Sequence, residues 1–290
     1  MMQLGANLEF AKTDGLDLTA ALKAAQQAGF SHVEPYVYSP LSLAVNSHLT
    51  LATTSDYHHI DRSTVDPDML RKQLDALGIS FSALDAHTSL LLPEIGVAYL
   101  KGAVDLADRV GCPIVMTDEG PLPTWLPLRH AFDILCYGLE AAITHAQRCD
   151  VVIAIELHNA LTTQPDWLGK VLDRFGPTQL GVNFDTGNSF LAGNDPVAFL
   201  AGCVDRVVHV HAKDIPESML PLRGQVTGTR VGVAMGQGQV DMVGILDTLY
   251  GAGYGGVVSI ECDTLEQAKT SRTFFEQWRQ RIGGDTTATP

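Results

Sequence analysis

The chain has 290 residues, 46% of them hydrophobic, and a mean hydropathy of +0.09, values that suit one large globular domain. Its 33 acidic and 19 basic residues leave a formal net charge of −14. That excess disfavours nucleic acid and anionic membranes, and no apolar run approaches the roughly 20 residues that span a bilayer.

Strand-like and helical segments alternate along the whole chain. Gln3 to Leu8 reads as a strand, and the helix from Asp17 to Ala28 is stopped by Gly29. Ser31 to Val37 is the second strand. Asp66-Pro67 opens the next helix with a side-chain cap followed by proline at the first helical position, and Gly78 ends it. Ile79 to Ala86 is the third strand, Pro93 to Val110 a helix closed by Gly111, and Pro113 to Thr117 the fourth strand. A helix over about Leu128 to Arg148 leads to the strand Val151 to Leu157, and a helix from Pro165 to Gly176 leads to the strand Leu180 to Phe184. A helix opening at Asp195-Pro196 precedes the strand Arg206 to Ala212. The helix Asp241 to Tyr250 precedes the strand Gly255 to Cys262. Asp263, with Glu266 three residues on, is read as the capping box of the last helix.

Eight such strand–helix units predict a single α/β domain, a (β/α)8 TIM barrel with eight parallel strands, over residues 1–282. An open doubly wound sheet would show a Gly-rich turn after its first strand, and NLEFAKTDG has no G-x-G-x-x-G. The polar tail Gly283 to Pro290 is expected to be disordered. Two connections are too long for simple turns and lie after strands, on the catalytic face of a barrel. The first, Tyr38 to Val65, holds Tyr57, His58 and His59, and reads equally as a lid or a subunit contact. The second, Ile215 to Val240, is expected to cover substrate. Five scattered cysteines without a C-x-x-C pair, and an amino terminus without a signal-peptide pattern, predict free thiols in a cytoplasmic protein.

The second half places a metal-ligating residue at the carboxyl end of each strand: Glu156 after VVIAI, Asp185 after LGVNF, His211 in HVHAKD and Glu261 after GVVSI. In a barrel these ends converge on one mouth, where three carboxylates and an imidazole would repel unless a cation neutralised them. A buried ion pair competes as the reading for Glu156, and a helix cap or Asx turn for Asp185. His209 and His211 face the same side of their strand, and the one nearer the carboxyl end is the chosen ligand.

The segments VVIAIELHN, LGVNFDTGN, VVHVHAKD, VGVAMGQGQVD and GYGGVVSIECD resemble the sugar isomerase/epimerase superfamily with a xylose-isomerase-like barrel, which includes ketose 3-epimerases and inosose-processing enzymes. The resemblance implies one Mn²⁺, Mg²⁺ or Co²⁺ per chain on Glu156, Asp185, His211 and Glu261, with the two glutamates exchanging protons with a keto-sugar. It also implies a homodimer or homotetramer. A metal-dependent lyase or dehydratase acting on a 3-keto-glycoside or inosose is the alternative, and an endonuclease IV-like phosphodiesterase a further one. The chain departs from the ketose 3-epimerases by carrying Asn188 where they have histidine. It also lacks an arginine shortly after His211. His158, Asn188 and Arg230 are expected to contact substrate. Glu34 and His87, and more weakly Glu9 and Glu119, are read as substrate contacts or structural hydrogen bonds. Trp125 and Trp167 are candidate stacking platforms for a sugar, or core.

Overall fold

The computed structural model describes residues 2–38, 60–229 and 231–285. Its strands are β1 (Gln3–Asn7), β2 (His32–Glu34), β3 (Val37–Tyr38), β4 (Ile60–Asp61), β5 (Ser80–Phe81), β6 (Leu84–Asp85), β7 (Ile114–Thr117), β8 (Val152–Glu156), β9 (Leu180–Asp185), β10 (Val207–Ala212) and β11 (Val257–Ile260). Nine segments form one parallel sheet in the order β5-β2-β1-β11-β10-β9-β8-β7-β6. The two ends of that order are successive in the chain, with only Ser82 and Ala83 between them. β5 pairs with β2 on one side and β6 with β7 on the other, so one expected strand closes the barrel in two halves. Barrel strands tilt and stagger, which brings the two halves of this strand to different neighbours. The fold is therefore the expected TIM barrel. β3 and β4 pair separately at the root of the first long connection, whose residues 39–59, with Tyr57, His58 and His59, lie outside the described residues.

Helices pack around the sheet because each strand buries both faces. Asp17, Asp66, Asp195 and Asp241 cap their helices by accepting hydrogen bonds from backbone N–H groups of the first turn. Gly78 and Gly111 end theirs at φ 64° and 75°, in the left-handed region that favours glycine. The last cap lies one residue beyond the expected one. Thr264 Oγ1 accepts from Gln267 N at 3.2 Å, and Gln267 Oε1 accepts from Thr264 N at 3.1 Å. That helix runs Leu265–Asp285, beyond the expected domain boundary at 282, and residues 286–290 lie outside the described residues.

A bulge in β10 aims the histidines inward. Val207 pairs with Val182 and His209 with Asn183, so Val208 is an extra residue opposite β9. Its side chain joins Ala83, Met116 and Ala154 in a small apolar cluster, the floor beneath the mouth. Gly181 leaves room for it: a Cβ there would lie 2.4 Å from Val208 Cγ2. Above this floor His209 is fully buried, with Nδ1 3.0 Å from Asn183 Oδ1 and Nε2 3.3 Å from Ser82 Oγ. Burial holds its pKa down to about 4.

Gly181→Ala should cost roughly 1–3 kcal/mol by overpacking. The measurement is the urea midpoint, and adding Val208→Ala should restore part of it. His209 also links stability to pH. Between its unfolded pKa of 6.5 and its folded pKa of about 4, the unfolded chain binds a proton that the native state refuses, so stability is lost as pH falls through that window. At pH 5 the loss is about 2 kcal/mol, and His209→Gln should remove it. Equal losses between pH 7 and pH 5 in wild type and variant would rule His209 out as the source.

Candidate metal centre and active site

Adjacent strands carry the four expected residues around an arc of the mouth. Glu156 ends β8, Asp185 ends β9, His211 lies near the end of β10, and Glu261 follows β11. All four are buried. Their side chains meet at one atom, His211 Nδ1, which lies 3.2 Å from Glu261 Oε2, 3.6 Å from Glu156 Oε1 and 4.0 Å from Asp185 Oδ2.

The remaining atoms of these side chains are taken by an outer ring of partners. His211 Nε2 lies 2.7 Å from Glu34 Oε1. Asp185 Oδ1 accepts from Asn188 N at 2.8 Å and so caps the short helix Thr186–Leu191, a second role for the same carboxylate. Glu261 Oε1 lies 2.6 Å from Lys213 Nζ, which also donates to Asp185 Oδ2 at 3.1 Å. Glu156 Oε2 lies 3.4 Å from His87 Nε2. His211 and Glu261 thus turn one atom to the centre and one outward, while Asp185 Oδ2 and Glu156 Oε1 face the centre and also meet Lys213 and Asn188. His211 Nδ1 and Glu261 Oε2, both turned to the centre, are buried without a hydrogen-bond partner, as is Glu156 Oε2 on the side of His87. Such orphans mark a place for a missing ligand. Three carboxylate oxygens and one imidazole nitrogen are a donor set that fits a divalent cation. Glu156, Asp185 and His211 also offer ligand atoms within 4.8 Å of one another.

The electrostatics agree. Burial alone would depress His211, but Glu34, Glu156 and Glu261 reverse this and raise its pKa well above the usual value. The same carboxylates favour any cation at Nδ1. Burial pushes Asp185 up to about 6 against the pull of Lys213. Glu261 feels burial too, yet Lys213 and His211 push it down to about 2.

A second polar wall adjoins the arc through Glu156. His87 Nε2 lies 3.1 Å from Asp85 Oδ1, and its Nδ1 3.2 Å from Asp118 Oδ2. His158 Nδ1 lies 3.6 Å from Glu156 Oε1, and its side chain is 30% exposed, at the open side of the mouth. Asn188 donates to the Leu157 carbonyl at 3.0 Å and approaches Glu156 Oε1 at 3.4 Å. The second long connection folds onto this site. Asp214 anchors it by accepting from the backbone N–H groups of Ile215, Gly236, Gly238 and Val240. Further along, Thr229 N approaches Asn188 Oδ1 at 3.4 Å and the Thr229 carbonyl accepts from Lys213 Nζ at 2.8 Å.

The structure thus brings His87, His158 and Asn188 to the mouth, and sets Glu34 beneath His211 instead. Arg230 lies outside the described residues. Glu119 accepts from Leu161 N, Thr162 N and Thr162 Oγ1, which pins the segment after β8, and Glu9 stands before the short helix Phe10–Thr13. Trp125 is 76% exposed, while Trp167 packs against Phe132 on the helical layer. Sequence reasoning missed Lys213, Asp85 and Asp118. It also missed Tyr36, whose phenol is raised by burial and by Glu9, Asp85, Glu261 and Glu156 around it. Position at the ends of strands was the one available signal for Asp85 and Asp118.

Comparison with known proteins follows the same line. The family model described as the xylose isomerase-like TIM barrel matches residues 22–278. Over 137 residues the chain is 33% identical to a putative L-ribulose-5-phosphate 3-epimerase, SgbU, of Escherichia coli strain K12, covering 46% of this chain and 45% of that protein. The chain therefore spans just under half of that relative's length. Over 224 residues it is 24% identical to an inosose dehydratase of Geobacillus kaustophilus, covering 68% of this chain and 72% of that protein. A solved D-tagatose 3-epimerase-like protein shares the fold with a TM-score of 0.79 at 16% identity, over 98% of this chain and 100% of that one. So does an IOLI protein crystallised with a zinc atom, with a TM-score of 0.71 at 16% identity over 98% and 97% of the two chains. With its barrel and a family match over most of its length, the chain belongs to the xylose isomerase-like TIM barrel family.

Proposed function

We propose that this chain is a divalent-metal-dependent sugar isomerase or epimerase acting on a keto-sugar or a close derivative. The observation that carries the reading is the convergence of Glu156, Asp185 and Glu261 on the bare Nδ1 of His211. These four residues would hold one Mn²⁺, Mg²⁺ or Co²⁺. When bound, the cation polarises a substrate carbonyl and acidifies the neighbouring C–H. Glu156 and Glu261 stand at the two ends of the arc, with β9 and β10 between their strands. A sugar lying across the arc therefore has a carboxylate on each flank. One glutamate removes the proton from carbon and the other returns a proton to the opposite face, which inverts that centre. Return to the adjacent carbon isomerises the sugar instead. His87, His158 and Asn188 offer the hydrogen bonds that orient hydroxyl groups, and Glu34 holds the His211 ring in position.

The runner-up is a lyase or dehydratase that begins with the same proton removal and ends by expelling a β-substituent. The relationship to the inosose dehydratase, which spans 72% of that protein, favours keeping it.

A panel of free ketoses, keto-glycosides and inososes incubated with Mn²⁺-loaded protein in D₂O separates the two by NMR. Solvent deuterium at a retained stereocentre is the expected outcome, and a lost substituent would move the assignment to the lyase. Glu156→Gln and Glu261→Gln should each lower turnover roughly a hundred- to ten-thousand-fold with the fold intact by circular dichroism. Normal rates in both would remove the acid–base pair. Glu34→Gln should weaken Mn²⁺ binding about 10- to 100-fold, read by titration calorimetry, because the imidazole loses its orienting carboxylate.

A further inference from the structure

The mouth of the barrel holds a cation of the chain's own. Lys213 is 2% exposed, and its ammonium has three acceptors: Glu261 Oε1 at 2.6 Å, Asp185 Oδ2 at 3.1 Å and the Thr229 carbonyl at 2.8 Å. Those three acceptors match the three N–H donors of a lysine. The backbone is held at both ends, since Lys213 N donates to Thr186 Oγ1 at 3.1 Å and Thr186 Oγ1 lies 2.8 Å from the Lys213 carbonyl. The fold also leaves a path for the stem. A Cβ on Gly187 would come within 2.7 Å of Lys213 Cγ and Cδ, so only glycine gives the side chain its passage.

We propose that Lys213 is an internal counter-ion that keeps the metal centre folded when no metal is bound. The proposal rests on the metal reading above. The three carboxylates around His211 Nδ1 bring three negative charges into a buried site, apart from Glu34 at the other ring nitrogen, and a divalent cation supplies only two positive ones. The ammonium supplies the third, and it binds the outer oxygen of Glu261 while Oε2 of the same carboxylate stays turned to His211 Nδ1. Without an ion, Glu261 still has His211 beside it, but Lys213 is the ammonium in contact with both Asp185 and Glu261, and its removal leaves buried carboxylate charge under-compensated, which is strongly destabilising in a protein interior.

The competing possibility is an ordinary structural ion pair with no connection to the cation. Thermal unfolding of wild type, Lys213→Met and Lys213→Arg, each in EDTA and in saturating Mn²⁺, distinguishes them. In EDTA the Met variant should melt roughly 10 °C below wild type. Because Mn²⁺ then takes over the neutralising role, its addition should raise the Met variant's melting temperature by more than it raises that of wild type. Lys213→Arg keeps the charge and should sit closer to wild type in EDTA. A Met variant that melts with wild type in EDTA overturns the proposal. So does one whose deficit Mn²⁺ does not reduce. Should the Met variant be recovered only as aggregate, Lys213→Gln expressed with and without Mn²⁺ gives the same comparison as soluble yield, with equal yields overturning it. Elemental analysis of wild type reads the metal hypothesis separately, since wild type that takes up no Mn²⁺ removes that reading at its root.

Discussion

Like charges buried together are the constraint around which the mouth of this barrel is organised. Glu156, Asp185 and Glu261 come within 4.0 Å of one imidazole nitrogen, in a place where water cannot screen them. Such a cluster survives only if each charge has a partner, and the surrounding residues can be understood as an answer to that demand. Lys213 takes the outer oxygen of Glu261, a backbone N–H takes one oxygen of Asp185, and His87 stands behind Glu156. What is left without a partner at the centre is His211 Nδ1 and the Oε2 of Glu261.

The barrel delivers this geometry through small backbone devices. Strand-end residues of neighbouring strands reach one mouth because parallel strands stagger in one sense. The bulge at Val208 then sets the phase of β10, so that His209 and His211 point inward together, and Gly181 makes room for it. His209 is the lower of the pair, neutral and hydrogen-bonded to Asn183 and Ser82, and it supports the plane in which His211 works. A structural histidine and a candidate ligand thus sit two residues apart. They differ in what lies beside them: amide and hydroxyl at one, carboxylates at the other.

The order of strands and helices was legible in the sequence because proline, glycine and aspartate punctuate it so regularly. Asp66-Pro67, Asp195-Pro196 and the terminating Gly78 and Gly111 all do in the structure what their local chemistry predicts. The arc of four was legible for the same kind of reason, since a charged residue ending an apolar run is conspicuous. Legibility failed where meaning depends on a distant partner. The third strand reads as continuous, and only the stagger of the closed sheet divides it between two neighbours. Lys213 reads as the first residue of a loop, because nothing local says that Asp185 and Glu261 will receive its ammonium. Glu34 reads as a residue at the mouth, and only the position of His211, 177 residues away in the chain, places it behind the ring. Thr264 and Asp263 compete for the same cap by spacing, and the reach of Gln267 decides between them.

On the proposed function, the choice between epimerisation and elimination would belong to the wall beside the centre rather than to the centre itself. Both reactions begin with removal of a proton next to a polarised carbonyl, so the arc of ligands serves them equally. They diverge in what meets the far side of the substrate: a group that returns a proton to carbon, or one that protonates a departing hydroxyl. Glu261, at the opposite end of the arc from Glu156, faces the first task, for which it must first take up a proton that Lys213 and His211 disfavour. His87 suits the second, since Asp85, Glu156 and Asp118 outweigh its burial and raise its pKa well above the usual value, keeping a proton on the ring. Asn188, which stands where ketose 3-epimerases are expected to carry histidine, leaves one fewer imidazole on the Glu156 side and so increases the weight that His87 and His158 carry there. On that reading, the structural variable that would set the reaction is whether a bound keto-sugar presents its β-hydroxyl to that imidazole pair or its carbon to Glu261.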